Sequence, residues 1–193
     1  MTATDAAAAT DAATEPLLYR WTPDEFVRAW EAGAFDRRVE LVEGEVWAVV
    51  IGPWHGKVTA RVVRALPGDD VEVTMATLPA GDSLPDPDCW VLRAGASPAG
   101  TIGRRLASWR AEDVLLVVEV SDESVLQDLG VKARLYGRAG YAVYWVVTRD
   151  AIYEHTDPTS SGYRTRVTYT PGDRVPVGYA GIELEVAALL AAG

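Results

Sequence analysis

Leu115-Leu116-Val117-Val118-Glu119-Val120 decides how this chain is read. The run is apolar without polar alternation, the pattern of a strand buried on both faces. A carboxylate in such a strand needs a cation, a metal or strong hydrogen bonds to stay ionised. Downstream, Val125 to Ala139 has helical spacing. Its apolar stripe is Val125, Leu129, Leu135, Tyr136 and Ala139, and Asp128 and Lys132 fall within that stripe. Gln127, Arg134 and Arg138 lie on the opposite face, as solvent demands. A lysine centred on an apolar stripe breaks the binary pattern, and such breaks mark functional sites. Gly140 ends the helix, and Ala142 to Val147 is a second buried strand. A strand–helix–strand unit of this kind predicts a right-handed crossover between parallel strands.

Other elements follow from capping and turn chemistry. Thr22-Pro23-Asp24-Glu25 starts a helix that runs to about Ala32, with Phe26 and Trp30 on one face. Val39–Val42 and Val46–Val50 form a hairpin around Glu43-Gly44-Glu45. His55 to Leu66 is a helix, Val71 to Leu78 and Asp88 to Leu92 are strands, and Ala94 to Arg110 is a mobile basic loop. Ile152–His155 and Tyr163–Tyr169 pair as a late hairpin, and Glu185–Leu190 is a short closing helix. The fold class is therefore α/β (α+β): a mixed central sheet flanked by helices, with the early hairpin adding antiparallel strands.

The chain has 193 residues, enough for one domain with a real core. Met1 to Glu15 is rich in Ala, Thr and Asp and reads as a disordered tail, leaving residues 16–193 as the domain. No apolar run spans a membrane and no signal core opens the chain, so a cytoplasmic protein is expected. One cysteine excludes an internal disulfide, and two histidines with one cysteine do not make a structural zinc site. The net charge of −10 argues against tight, non-specific nucleic-acid binding.

Glu119, Asp128 and Lys132 admit two readings. One is a buried ion-pair network. The other is a divalent-metal site, because Mg²⁺ takes one or two carboxylates, retains waters and draws other oxygens from phosphate. On that reading Asp88 joins Glu119, the Val120 carbonyl adds a ligand, and Lys132 either offsets developing charge or helps deprotonate a water. Asp128 positions Lys132 from one turn away. Tyr136 packs with a hydrogen-bonded hydroxyl. Glu40 is a third acid near the site or a solvent-face residue, and His55 has a supporting role. Cys89 is a small core residue.

The ordered set Glu40-Leu41-Val42-Glu43-Gly44, His55, Pro87-Asp88, Glu119-Val120-Ser121-Asp122, Asp128 to Lys132 with Tyr136, and Gly140 with Tyr144–Val147 resembles the Uma-two family of restriction-type endonucleases, within the PD-(D/E)XK nuclease superfamily. The resemblance covers roughly residues 20 to 150. It implies a restriction endonuclease-like core and a Mg²⁺-dependent phosphodiesterase, with Mn²⁺ as a substitute. Asp88 and Glu119 would be metal ligands and Glu40 a further acid of the site. The superfamily's lysine usually lies two residues after the glutamate, where this chain has Ser121; Lys132 looks like its replacement. DNA is the implied partner, reached through Arg61, Arg64, Arg104, Arg105 or Arg110, and cutting both strands favours a homodimer. A catalytically silent binding or assembly module on the same fold is the alternative.

Overall fold

The computed structural model describes residues 17–68 and 70–191, so the expected tail lies outside the described residues. Helix α1 (Pro23–Glu31) opens with a full capping box: Thr22 accepts from the Glu25 N–H, and the Glu25 carboxylate reaches back to the Thr22 N–H. Its buried face is Phe26 and Val27, whereas Trp30 is exposed. Strands β1 (Val39–Val42) and β2 (Glu45–Ala48) pair across a tight turn. Both turn residues, Glu43 and Gly44, have positive φ, the backbone that such two-residue hairpins require. The early hairpin is a two-stranded sheet of its own, not part of the central one. Backbone hydrogen bonds between Leu41 and Leu84 tie it to the rest of the chain.

The central sheet has six strands in the order β10-β9-β8-β7-β4-β3. These are β3 (Val71–Thr74), β4 (Cys89–Arg93), β7 (Val114–Val120), β8 (Tyr144–Val147), β9 (Ile152–Thr159) and β10 (Gly162–Tyr169). Only β7 and β8 run parallel, joined by the expected helical crossover; the other neighbours are antiparallel. The sheet is mixed because β3, β4, β9 and β10 supply the antiparallel strands. Strand β3 stops at Thr74, short of the expected Leu78.

The face carrying Cys89, Val91, Leu116, Val118 and Val120 packs on helix α2 (Pro53–Ala65) through Val58 and Val62. Helix α5 (Val186–Leu190) covers the same side, with β11 (Arg174–Val177) and β12 (Ile182–Glu185) preceding it as a hairpin that periodicity did not reveal. The opposite face carries Trp90, Leu92, Val117, Tyr144 and Val146, and packs on the crossover helix. The basic segment expected to be a loop holds a small hairpin, β5 (Gly100–Ile102) with β6 (Leu106–Ser108). Alternation there is too short to read.

The crossover is not one continuous α-helix. It runs as α3 (Val125–Gln127), a π-helical turn over Asp128–Lys132, and α4 (Ala133–Arg138). Single π turns of this type occur mostly at functional sites. The inward face is as the stripe requires: Asp128, Lys132, Leu135 and Tyr136 are buried, while Gln127, Arg134 and Arg138 are exposed. Gly137 sets the depth of α4. A Cβ there would stand 2.4 Å from the Gly162 carbonyl carbon of β10, so only glycine allows this approach.

Candidate active site

Strand register sets the site. Cys89, the first residue of β4, pairs with Val118, so Asp88 lies at the bend just before β4, beside the Glu119–Val120 end of β7. The Asp88 charge bears on Glu119, and like charges so placed repel. Both acids are buried. A cleft of about 280 Å³ opens over them. Glu40, Asp86, Asp88, Glu119, Asp122, Glu123 and Asp128 line it, and among the described residues Lys132 is its one ammonium and no arginine joins it.

Lys132 is the hub of one half. Its Nζ lies 2.9 Å from Glu119 Oε1, 3.0 Å from Glu40 Oε2 and 3.7 Å from Asp128 Oδ1. One ammonium thus joins the early hairpin, the central sheet and its own π turn. Glu40 is therefore a buried site residue, not a solvent-face one. The Tyr136 hydroxyl donates to the same Glu119 oxygen at 2.9 Å. Oε2 of Glu119 receives no hydrogen bond from the described residues. The Ser124 hydroxyl donates to Asp128 Oδ2 at 2.5 Å, and the Tyr144 hydroxyl donates to the Asp128 carbonyl at 3.1 Å.

Burial opposes charge on Lys132, but Glu119, Glu40 and Asp128 outweigh it and hold the ammonium above the ordinary lysine range. A lysine held in this direction favours the charge-offsetting role of its two expected options. Glu119 is displaced upward as well, by burial first; Lys132 counters, while Asp128, Asp88 and Glu40 add to the rise. The Tyr136 hydroxyl stays protonated for the same two reasons, burial and then the Glu119 charge.

Asp88 anchors the other half. His55 Nε2 lies 2.9 Å from Asp88 Oδ1, and the Val120 N–H donates to Asp88 Oδ2 at 2.6 Å. His55 thus has an acid partner that its sequence neighbourhood does not reveal. Asp86, which the sequence reading does not single out, also belongs to the site. Its N–H donates to Glu40 Oε2 at 3.0 Å, and its carboxylate pairs with Arg38 Nε at 2.5 Å. The signal was the repeated Pro-Asp at residues 85–88. At the rim, Arg149 makes two hydrogen bonds to Asp122 and lies over the Trp54 ring. Cys89 points into the core, where burial pushes its thiol up to about 12. The arginines expected to meet DNA stand outside the cleft. Arg104, Arg105, Arg110 and Arg64 are exposed, and Arg61 bonds the Ala191 carbonyl.

A family model described as "Putative restriction endonuclease", Uma2, matches residues 23–187. The chain belongs to the Uma2 family. A solved structure described as a "putative nuclease belonging to DUF820" from Anabaena variabilis shares the fold, with a TM-score of 0.67. It is 16% identical, and the alignment covers 88% of this chain and 97% of that one. No curated protein matches the chain. Uma2 membership agrees with the resemblance drawn from the ordered motifs, and the shared fold agrees with the expected mixed sheet flanked by helices. Among the described residues, no helix is long and apolar enough to cross a membrane.

Proposed function

We propose that this Uma2 protein is a divalent-metal-dependent endonuclease that hydrolyses DNA phosphodiester bonds. The observation that carries the reading is that Asp88 and Glu119, from separate chain segments, line one acidic cleft and act on each other's charge. Two buried carboxylates sharing one cleft repel each other. Phosphate would be repelled by the same cleft. A hard cation relieves both conflicts at once.

The donors fit Mg²⁺ or Mn²⁺. All are hard oxygens, and Glu119 Oε2 has no protein donor. Among the described residues, no three Asp, Glu, His or Cys side chains form a closed metal cage. An ion that keeps several waters and takes phosphate oxygens needs none. Asp88 and Glu119 would hold it, with the Val120 carbonyl in reach of the same end of β7. Once bound, such an ion polarises the phosphate and lowers the pKa of water.

The side chains hold this arrangement in place. Tyr136 and Lys132 fix one oxygen of Glu119, which leaves the other directed by default. His55 and the Val120 N–H fix the Asp88 plane. Glu40 is oriented by the Asp86 N–H and, with Asp128, keeps Lys132 centred. Lys132 contributes a permanent positive charge where negative charge grows during in-line attack. Arg104 and Arg105, on the turn of the β5–β6 hairpin, offer backbone-phosphate contacts outside the cleft. A two-fold dimer would place two clefts on opposite strands of a duplex.

One observation favours a second reading. Lys132 is ringed by carboxylates, and both Asp88 oxygens already have protein donors. That is also what a silent, ion-paired module would look like. Plasmid cleavage in Mn²⁺ separates the two. Wild type should nick or linearise the plasmid and Asp88→Ala should not; equal, metal-independent traces from both proteins would leave the silent module standing.

A further inference from the structure

A second cavity, of about 380 Å³, adjoins the acidic cleft and shares His55 and Asp88 with it. Its chemistry is different. Ile51, in the β2–α2 connection, and Met75, just after β3, stand at its edge, each more than half exposed. Arg64 supplies positive charge, Arg38 is already paired with Asp86, and Asp88 is its one carboxylate among the described residues. The first cavity is anionic; this one is apolar and cationic.

Among the described residues, two hydrogen-bonding atoms of its lining lack partners. Thr59 Oγ1 is buried without a hydrogen bond, and so is His55 Nδ1. The two side chains are one turn apart on α2. His55 Nε2 faces Asp88 Oδ1 at 2.9 Å, and with the ring proton on that nitrogen Nδ1 is an unfilled acceptor. Thr59, 5% exposed, can donate or accept. Orphaned polar atoms are costly in a folded protein, and each calls for an explanation. A ligand that completes them is one.

We propose that this cavity receives the unstacked base of the nucleotide next to the scissile phosphate. The proposal rests on the nuclease reading for where that phosphate lies. The base packs between Ile51 and Met75, gives an amino hydrogen to His55 Nδ1 and exchanges a hydrogen bond with Thr59. Its own phosphate meets Arg64. Apolar packing of this kind tolerates any base, whereas the two polar atoms discriminate. A base must leave the helical stack to enter, which is easiest where it is already unpaired. Cutting should therefore favour single-stranded or mismatched sites over perfect duplex, and amino-bearing bases over thymine.

The test uses the full chain and a single-stranded oligonucleotide with one 2-aminopurine, titrated in Ca²⁺ and read by base fluorescence. Wild type should bind with a saturable fluorescence change. Thr59→Val should weaken binding about tenfold, the size of one lost hydrogen bond or slightly more. The same variant should raise the melting temperature of the free protein, because its hydroxyl has no partner there. Arg64→Gln should weaken binding without that thermal gain. Absence of binding, or unchanged affinity in Thr59→Val, overturns the subsite even if the chain cuts DNA. Weakened binding in Thr59→Val with no cleavage in any metal upholds the subsite and removes the nuclease reading instead.

Discussion

Glu119 gives one oxygen to an ammonium and a phenol, whereas its neighbour Asp88 has one oxygen against an imidazole and the other accepting from a backbone N–H. The first carboxylate belongs to a cluster in which Lys132 joins three chain segments and engages only one Glu119 oxygen. The second sits where two cavities meet, beside a ring nitrogen and a hydroxyl with no partner. The lesson is one of division. The Lys132 half is built to hold charge in a fixed place, and its removal should be felt in folding. The Asp88 half is built to receive, and its removal should be felt in binding.

The largest expected effect breaks the first half. Lys132→Met keeps most of the volume but leaves three buried carboxylates without their cation. Removing one partner of a buried ion pair costs ~3–5 kcal/mol. Urea denaturation should show a loss of that size, together with loss of cleavage; a change under ~1 kcal/mol would mean that the cluster is exposed and loosely held.

The second prediction breaks the other half. Asp88→Asn removes the repulsion with Glu119 and should leave the metal-free melting temperature level or slightly higher. It should also abolish the stabilisation that Mn²⁺ gives wild type, worth ~2.7 kcal/mol at a hundredfold excess over Kd. A melting temperature that collapses in Asp88→Asn would place both halves in one structural network.

A third prediction sharpens the coupling between the halves. Burial holds the Glu119 carboxyl above its usual range, so the folded protein keeps a proton that the unfolded chain has lost. Stability from this group falls as pH rises from the ordinary carboxylate value through the raised one. A divalent cation must displace that proton. At fixed Mn²⁺, the thermal gain should therefore grow with pH across the same window, and Glu119→Gln should flatten the dependence. A gain that shrinks with rising pH would contradict it.

The smallest effect lies at the far edge of the aromatic layer. His155 stacks against Tyr144 and Tyr163, and burial, with Arg166 adding to it, lowers its pKa to about 4. The unfolded chain binds a proton there near pH 6.5, so stability should fall as pH drops from about 6.5 to about 4. His155→Phe should remove that part of the acid sensitivity without affecting cleavage at neutral pH, as paired melting curves would show.

The sequence made the central strands legible because β7 and β8 are buried on both faces and carry no polar alternation. It also exposed Lys132, since an ammonium on an apolar stripe has no bland place to go. The π turn was hidden, because Asp128 and Lys132 share a face in an α-helix too. The partners of Glu40 and His55 were hidden for a different reason: each contact crosses elements far apart in the chain, and periodicity reports only local faces. Asp86 was masked by its turn chemistry. The β11–β12 hairpin was missed because four-residue strands in a polar stretch leave little pattern to read.

Manganese soaked into crystals of the protein, followed by anomalous difference maps, tests the central claim most directly. The account predicts a single strong peak within coordination distance of both an Asp88 and a Glu119 oxygen, with the Lys132 contacts kept. A map with no peak in the cleft, or a peak held by neither carboxylate, would contradict it.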